Sequence, residues 1–556
     1  MNKPRVLVIG LDGATWDLIR PWAAAGHLPH LAQLIEEGSG AVLRSTIPPM
    51  SPAAWSSFMT GKNPGKHGVF DFTVRDFQSY GMRVTLRPSE PTLWSLLSAQ
   101  GRRVCVINVP QTYPPEQVNG YMVTGLGTPT GRVFTHPVEI TETLVRENYR
   151  IVPNSVLQRD GTAPFVRDVH QGAEQVAETA LRLMGQADWD FSMVVLRLTD
   201  EIPHYFWHWM DPSHPAHVPA DTFHREAVLR CYQKADEMVG KLIAHVQDEN
   251  TSVFVMSDHG FGPLHKDVYL NNWLRQQGFL HLRSQPTARN VLATLLRRLG
   301  ITRTSVGHSL SRLRLHRVRG ALRDGLGTWA EIFPNDAQPR VAELVDWTRT
   351  RAYSVGYTGQ IYVNLIGRDP LGVVAPGAQC EQFLSGLIEQ LQEMVDPEDG
   401  KRVVDQVLRK EEIYNGPYLP VAPDLLLVMR GYSYITRQSY EFSVNDVSFA
   451  APPTQETGGH RQEGILIACG GSIRAGNWLE PVRIEDLAPT ILHLLGCEVP
   501  VDMDGGVLSE VLVPEHVAAN AVRYSQAHRQ EGAVSGFTPE EEESVLEHLR
   551  NLGYIG

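Results

Sequence analysis

Three aspartates follow runs of mostly apolar residues at widely separated points of the chain: Asp12 after Val6 to Leu11, Asp200 after Met193 to Thr199, and Asp258 after Ser252 to Ser257. Such runs are typical of buried parallel strands. The carboxyl ends of parallel strands share one rim of an open sheet, where ligands bind. The sequence therefore predicts that the three carboxylates meet in one charged site that attracts metal ions.

Three histidines accompany these carboxylates: His204 four residues after Asp200, His259 directly after Asp258, and His460 in the stretch GGHR before another apolar run. Imidazole nitrogens and carboxylate oxygens are ligands that zinc accepts. Taken alone, His204 fits an aromatic cluster equally well, because Tyr205 to Trp209 follow it. The ordered set of aspartates and histidines is much harder to explain as a series of turns.

Ser51 is the candidate nucleophile, and it stands in the stretch IPPMSPAAWSSFMTG. Pro52 suits the first turn of a helix, so Ser51 is predicted as the N-cap and Gly61 as the end of that helix. A hydroxyl at a helix N-terminus beside a metal ion is acidified toward an alkoxide nucleophile. A serine before proline is more often a simple cap, so this interpretation depends on the other residues.

The elements that must position these residues are strands alternating with helices. Short apolar runs predict six buried strands: Val6 to Leu11, Val104 to Val109, Met193 to Leu198, Val253 to Met256, Leu425 to Val428 and Ile465 to Cys469. Leu31, Leu34 and Ile35, and the set from Ala235 to Ile243, follow helical spacing. This alternation favours an α/β doubly wound sheet.

Length and composition set broad limits on the function. The chain has 556 residues, of which 42% are hydrophobic and 20% charged, so it can bury the core of one large domain with additions. The formal net charge of -12 argues against a general nucleic-acid binder, which usually carries excess positive charge. We therefore expect no stable nucleic-acid partner.

The cysteines and the first residues bear on location. Five cysteines are widely spaced and form no CxxC pair: Cys105, Cys231, Cys380, Cys469 and Cys497. This pattern suits reduced thiols in a core better than disulfides or a zinc knuckle. MNKPRVLVIGLDG runs into the first strand without an apolar signal region. The sequence thus predicts a cytoplasmic protein.

Residues 268–344 are predicted to be an arginine-rich, mostly helical insertion. Between Val268 and Arg323 there are eleven arginines and no Asp or Glu, with leucines interleaved. Two interpretations stay open: a helical lid or crossover subdomain, and a basic surface that contacts anionic lipid or nucleic acid. The lid is favoured because arginine-rich helix faces are common.

Residues 1–267 and 345–512 are predicted to form the catalytic core, and residues 513–556 a tail with a terminal helix. Thr538 can cap this helix, Pro539 suits its first position and Glu541 completes a capping box. Gly553 can end it. The sequence assigns this helix a structural or docking role.

With these residues the chain resembles the alkaline phosphatase superfamily, most closely the type I phosphodiesterase/nucleotide pyrophosphatase family. The matching stretches are GLDG with Asp12, SPAAWSSFMTGKNPGKHG with Ser51, Asp200 with His204, SDHGFGP, GGHRQEGI with His460, and IEDLAPTILHLLG. They extend from about Val6 to Leu512. The resemblance implies an alkaline-phosphatase-like fold: a doubly wound, mainly parallel sheet flanked by helices, with a helical insertion.

The resemblance also implies two divalent metal ions, zinc first and manganese or another divalent ion as the alternative. Asp12, Ser51, Asp258 and His259 would surround one metal, and Asp200, His204 and His460 would bind the other. Ser51 would attack phosphorus and form a covalent phospho-serine that water then hydrolyses. The implied function is a metal-dependent phosphoester hydrolase of the phosphodiesterase/nucleotide pyrophosphatase type.

The substrate is expected to be a small phosphoester, with nucleotides included. The alternatives are a phosphomonoesterase, a phosphonate hydrolase, a transferase that passes the phosphoryl or phospho-alcohol group to an acceptor alcohol, and a non-catalytic phosphoester-binding protein. A sulfatase is disfavoured, because SPAAW at Ser51 does not match the C/S-x-P-x-R pattern of the superfamily's sulfatases.

Two departures from the family pattern concern phosphate binding. The family commonly has threonine where this chain has Ser51, and its phosphate-binding asparagine is not evident after His67 and Gly68. Lys62, Lys66 or Arg461 is the hypothesised replacement, because each can donate to a phosphate oxygen.

Overall fold

The computed structural model describes residues 3–246, 250–283, 344–437, 448–450, 456–527 and 536–554. The strands are β1 Arg5–Leu11, β2 Ser39–Arg44, β3 Thr73–Arg75, β4 Met82–Val84, β5 Val104–Val109, β6 Gly120–Thr124, β7 Thr135–His136, β8 Phe191–Leu196, β9 Thr251–Met256, β10 Gly260–Pro263, β11 Lys266–Val268, β12 Ala352–Ser354, β13 Gln360–Val363, β14 Val404–Arg409, β15 Leu425–Met429, β16 Tyr434–Thr436, β17 Phe449–Ala450, β18 Gly458–Arg461, β19 Glu463–Cys469, β20 Asn477–Trp478, β21 Val482–Arg483, β22 Val499–Pro500 and β23 Tyr524–Ser525.

The helices are α1 Trp16–Ala24, α2 Pro29–Glu37, α3 Ser51–Thr60, α4 Pro64–His67, α5 Leu93–Ala99, α6 Glu139–Arg146, α7 Leu157–Asp160, α8 Thr162–Gln186, α9 Leu198–Glu201, α10 Pro203–Met210, α11 Thr222–His245, α12 Leu270–Gln276, α13 Ala378–Gln392, α14 Lys410–Ile413, α15 Leu487–Leu494, α16 Pro514–Ala519 and α17 Pro539–Asn551. Among the described residues, none of these helices has the length and apolar composition needed to cross a bilayer.

A ten-stranded sheet organises the fold. Its order is β20-β2-β19-β9-β1-β8-β5-β6-β7, with β21 also beside β2. Neighbouring strands from β9 to β6 are parallel, whereas β19 pairs antiparallel with both β2 and β9. Helices cover this sheet, and the predicted α/β class with a mainly parallel, doubly wound sheet is confirmed.

Both faces of the sheet are buried. Leu7 and Ile9 of β1 pack in one hydrophobic cluster with α2, α8 and α11, while Val6 and Val8 pack in a second cluster with α3, α5 and α15. Burying each such side chain contributes about 1.5–3 kcal/mol relative to leaving it exposed. The strands that carry the candidate site are therefore held from two sides.

One predicted strand lies in a different sheet. The Leu425 to Val428 run forms β15 of a four-stranded sheet of order β12-β13-β15-β14, where it pairs antiparallel with its neighbours. This sheet shares a hydrophobic cluster with α13. An apolar run indicates that a strand is buried, but it does not indicate which sheet the strand joins.

The limits of β8 also differ from the prediction, because β8 is Phe191–Leu196 and Leu198 already begins α9. Of the predicted arginine-rich insertion, residues 284–343 lie outside the described part of the chain, so the domain limits stay predictions. The terminal helix is present as Pro539–Asn551, and Thr538 and Glu541 form the predicted capping box.

His67 lies buried at the end of α4 and gives the folded chain a pH-sensitive contact. Its Nδ1 accepts the Val69 N–H at 3.1 Å, and its Nε2 lies 3.0 Å from the Ser57 hydroxyl, so the ring is held neutral. Burial lowers the pKa of His67 to about 3.

We expect this histidine to destabilise the fold in acid. The unfolded chain takes up a proton near pH 6.5 while the folded chain resists it, so stability falls by about 1.4 kcal/mol per pH unit between 6.5 and about 3. Urea denaturation at pH 7 and at pH 5 measures the free energy of unfolding. Its fall between the two pH values should be about 2 kcal/mol smaller in His67→Gln than in the wild type. Equal pH dependence of the two chains would contradict this assignment.

Candidate metal centre

The three carboxylates meet at one rim of the main sheet. β1, β8 and β9 are adjacent and parallel, and Asp12, Asp200 and Asp258 follow them at their carboxyl ends. All three residues are buried. Within the described part of the chain, Asp12 Oδ1, Asp200 Oδ1 and Asp258 Oδ2 accept no hydrogen bond. Buried charged oxygens without partners are costly, so this group of atoms fits a bound cation.

The three histidines point the same nitrogen at this group of carboxylates. Nδ1 of His204 lies 3.0 Å from the Gly458 carbonyl, Nδ1 of His259 lies 3.0 Å from that of Gly260, and Nδ1 of His460 lies 2.9 Å from that of Pro49. A carbonyl only accepts, so each Nδ1 carries a hydrogen, and Nε2 of the neutral ring keeps its lone pair. A main-chain partner of this kind fixes the tautomer and orientation of metal-binding histidines.

Nε2 of His204 and Nε2 of His460 lie so close together that they need either a proton or a metal cation between them. Nε2 of His204 and Nε2 of His460 are 3.1 Å apart, and both are 3.2–3.3 Å from Asp200 Oδ1. Two neutral acceptors at this distance have no hydrogen to share. A divalent cation offers both nitrogens and the carboxylate oxygen a common partner.

Two overlapping groups of ligand atoms are present, each with its atoms within 4.8 Å of one another. Asp200, His204 and His460 form the first, and these are the residues that the family resemblance implies for one metal. Asp12, His259 and Asp200 form the second, so Asp200 belongs to both. Asp258 adjoins the second group, because its Oδ2 lies 3.3 Å from Nε2 of His259. Oxygen and nitrogen donors without sulfur suit zinc or manganese.

Ser51 lies beside the second group. Its Oγ is 3.0 Å from Nε2 of His259. The prediction that Ser51 is the N-cap of α3 is wrong: Met50 is the cap residue, and Ser51 is the first helical residue. The hydroxyl therefore makes no capping bond and faces the site. Gly61 ends this helix in a left-handed conformation with φ of 64°, as predicted.

Neighbouring donors hold two of the carboxylates in place. The indole Nε1–H of Trp55, one turn after Ser51 on α3, donates to Asp12 Oδ2 at 3.1 Å. The backbone N–H of Gly13 donates to Asp258 Oδ1 at 3.2 Å. Each carboxylate thus has one oxygen fixed by the protein and one directed at the centre.

The electrostatics of the site favour cation binding. Burial, together with the neighbouring Asp258 and Asp200, raises the pKa of Asp12 well above its usual range. Burial and Asp200 raise the pKa of Asp258 to about 7. Burial also acts to raise the pKa of Asp200, but His204 and His460 outweigh it and lower that pKa. A divalent cation would offset the repulsion between these carboxylates.

Lys66, a predicted substrate contact, lies at the other end of α3 from Ser51. Its Nζ donates to Asp504 Oδ1 at 2.6 Å and to the Asp502 carbonyl at 2.8 Å. Asp504 in turn donates its N–H to the carbonyl of Gly61, the C-cap of α3. Ten helical residues span about 15 Å, so this geometry does not bring Lys66 to the nucleophile.

Lys62 and Arg461 also bind other groups of the protein. Lys62 binds the carboxylates of Glu90 and Asp502. The Arg461 guanidinium donates to the main-chain carbonyls of Tyr432 at 2.9 Å and Pro263, which leaves it a structural role. Burial lowers the pKa of Arg461 to about 10. The geometry therefore gives no support to either residue as a phosphate contact.

A small cleft of about 50 Å³ is lined in part by His204 and His460. Its walls are mostly apolar or aromatic and include Met50, Leu264, Tyr357, Tyr432, Ile435 and Tyr554. Arg437 also lines the cleft, but its charge is balanced by Asp267 and Glu456. The cleft has room for a few water molecules, and its apolar walls adjoin the metal-ligand groups.

Tyr554 is a residue of the site that sequence reasoning missed. Its hydroxyl donates to Asp200 Oδ2, and its side chain is buried. The capping box of the helix Pro539–Asn551 was visible in the sequence, but nothing near Tyr554 indicates a contact with a residue more than 350 positions earlier. This contact is a product of the tertiary fold.

Comparisons with known proteins give one family match and one structural likeness. A sequence model of a family described as type I phosphodiesterase/nucleotide pyrophosphatase matches residues 6–459. Among solved structures, murine ectonucleotide pyrophosphatase/phosphodiesterase 5, an inactive variant in complex with AMP, is similar with 12% identity and a TM-score of 0.49. That match covers 92% of this chain and 100% of the murine chain. No curated protein matches the chain.

Proposed function

Because the chain belongs to the type I phosphodiesterase/nucleotide pyrophosphatase family and is a hydrolase of phosphoric esters, we propose that it cleaves phosphodiesters with Ser51 as nucleophile and two divalent cations. The observation that carries the proposal is the convergence beside the Ser51 hydroxyl of three Nε2 atoms and three carboxylate oxygens that accept no hydrogen bond from the described residues. Zinc is the expected metal and manganese the alternative.

Each residue has a distinct part in this chemistry. Asp200, His204 and His460 would hold one cation, and Asp12, Asp258 and His259 would hold the other, with Asp200 between the two groups. When bound, the cations would neutralise the phosphoryl oxygens and acidify the serine hydroxyl. Trp55 and Gly13 keep Asp12 and Asp258 in position through their N–H groups.

The reaction would proceed in two displacements at phosphorus. Ser51 Oγ gives its proton to water and forms a bond to phosphorus while the bond to the leaving alcohol oxygen breaks, and that oxygen takes up a proton from water. Water then forms a bond to phosphorus while the Ser51 Oγ–P bond breaks, and the serine recovers a proton. The first amides of α3 lie at the positive end of its dipole, which favours an anionic phosphoryl group at Ser51.

The apolar residues that line the cleft support diesters over monoesters. In a monoester the single organic group is the leaving group. In a diester one organic group leaves, and the other stays on the phosphorus atom during the attack. The apolar walls of the cleft beside His204 and His460 offer that group a binding surface. Nucleoside esters are one class of diester that would fit this description, and a cytoplasmic location stays a prediction.

A rate comparison tests the substrate class. We expect kcat/KM for bis-p-nitrophenyl phosphate, with zinc added, to exceed that for p-nitrophenyl phosphate by about 10- to 100-fold, because burying a second aryl group contributes about 1.5–3 kcal/mol. A p-nitrophenyl nucleotide ester measures the preference for a nucleoside. Faster monoester turnover would contradict the proposal, and transfer products formed with an added alcohol would favour a transferase.

A further inference from the structure

The 536–554 segment packs against the metal centre. Val545, Leu549 and Leu552 share a hydrophobic cluster with Met50, the residue before Ser51, and with Phe72. Polar contacts join the same segment to the core: the Glu542 carboxylate accepts the Val84 N–H at 2.9 Å, and Arg132 pairs with Glu541 at 2.9 Å. The segment is thus docked along its length.

Tyr554 leaves the end of this segment and enters the site. Gly553, with φ of 80°, lets the chain turn after the helix in a conformation that other residues rarely adopt. The Leu552 carbonyl accepts the Tyr205 hydroxyl at 2.9 Å, which anchors the turn beside His204. The Tyr554 ring stacks on Phe72 with centroids 4.7 Å apart, and its contact with His204 is edge-on at 5.8 Å.

The two oxygens of Asp200 have different surroundings. Oδ1 faces Nε2 of His204 and His460 at 3.3 and 3.2 Å, whereas Oδ2 accepts the Tyr554 hydroxyl. Asp200 is the residue shared by both groups of ligand atoms. Its orientation therefore affects both groups at once.

We propose that Tyr554 is a positioning residue that holds the Asp200 carboxylate so that Oδ1 faces the metal centre. The proposal deepens the proposed function and rests on it, because it requires cations at Asp200. Packing of the Tyr554 ring fixes the position of its hydroxyl. The hydroxyl in turn donates to Asp200 Oδ2, the carboxylate oxygen that does not face the histidines. Partners of this kind raise metal affinity by about 10- to 100-fold.

The test is the zinc affinity of Tyr554→Phe, which keeps the ring and its stacking on Phe72 and removes only the hydroxyl. Titration of the metal-free full chain with zinc, in competition with a chromogenic chelator, should show affinity weakened by about 10- to 100-fold. Diester turnover of this variant should return toward the wild-type value as free zinc is raised, which a folding defect would not do.

Tyr434→Phe is the matched control. Tyr434 is also buried, and its hydroxyl donates to another carboxylate, Asp396 Oδ2, at 2.7 Å. We expect its zinc affinity to equal that of the wild type. If wild-type chain binds zinc and Tyr554→Phe binds it equally well, the positioning role is wrong while the proposed function stands. If the wild type binds no divalent metal, both fail.

Discussion

Replacement of Ser51 by alanine should abolish diester hydrolysis and leave the metal content nearly unchanged. The Ser51 hydroxyl is the nucleophile in the proposed reaction, and loss of a covalent nucleophile lowers kcat by about 10³- to 10⁶-fold. The carboxylate and imidazole ligands remain in Ser51→Ala, so we expect zinc to bind. The measurements are kcat with bis-p-nitrophenyl phosphate and zinc per chain by elemental analysis.

Ser56→Ala is the matched control for this experiment. Ser56 lies on the same helix and is equally buried, and in the described part of the chain its Oγ has no hydrogen-bond partner. We expect it to keep wild-type turnover within a few-fold. Turnover by Ser51→Ala above about a tenth of the wild-type rate would show that another group attacks phosphorus.

Replacement of Asp200 by asparagine should weaken both cation sites together. Asp200 is the residue common to the two groups of ligand atoms. The neutral amide removes one of three buried negative charges and presents a poorer ligand. We expect zinc affinity to fall by more than the 10- to 100-fold typical of losing an outer partner of a ligand, and turnover to fall with it. Competition with a chelator measures the affinity, and the stoichiometry shows whether one or both ions are lost.

Two further variants serve as comparisons for Asp200→Asn. His204→Ala removes a ligand of one group only, so it should lose about one zinc ion per chain. Asp236→Asn alters a buried carboxylate away from the site, which accepts the Leu31 N–H at 2.7 Å, and should keep the full zinc content. An Asp200→Asn chain that retains two tightly bound zinc ions would contradict the shared role of Asp200.

The sequence was most informative where function depends on strand ends. An apolar run that ends in aspartate is a local pattern, and the parallel register of β1, β8 and β9 then brings Asp12, Asp200 and Asp258 to one rim. Periodicity also located α2 and α11 correctly. These features depend on a few neighbouring residues, so they can be read without knowledge of the tertiary fold.

The features that the sequence did not show are contacts between distant parts of the chain. Lys66 and Arg461 were chosen for their charge, but the sequence does not show that Asp504 and two main-chain carbonyls already occupy them. The strand Leu425 to Val428 joined another sheet because apolar composition does not specify strand partners. Ser51 was predicted as a cap, yet its hydroxyl faces His259 instead of the helix amides.

The bonds from the three histidine Nδ1–H groups to main-chain carbonyls determine the net charge of the loaded centre. A histidine held by a neutral carbonyl is a neutral ligand, so the negative charge comes from Asp12, Asp200 and Asp258. Two divalent cations would bring four positive charges against these three and leave one positive charge in a buried site while Ser51 is still protonated. A phosphodiester monoanion cancels that charge, whereas a monoester dianion would leave an excess negative charge in surroundings of low dielectric constant. In the proposed two-cation centre, charge neutrality would thus favour binding of the singly charged ester before Ser51 ionises.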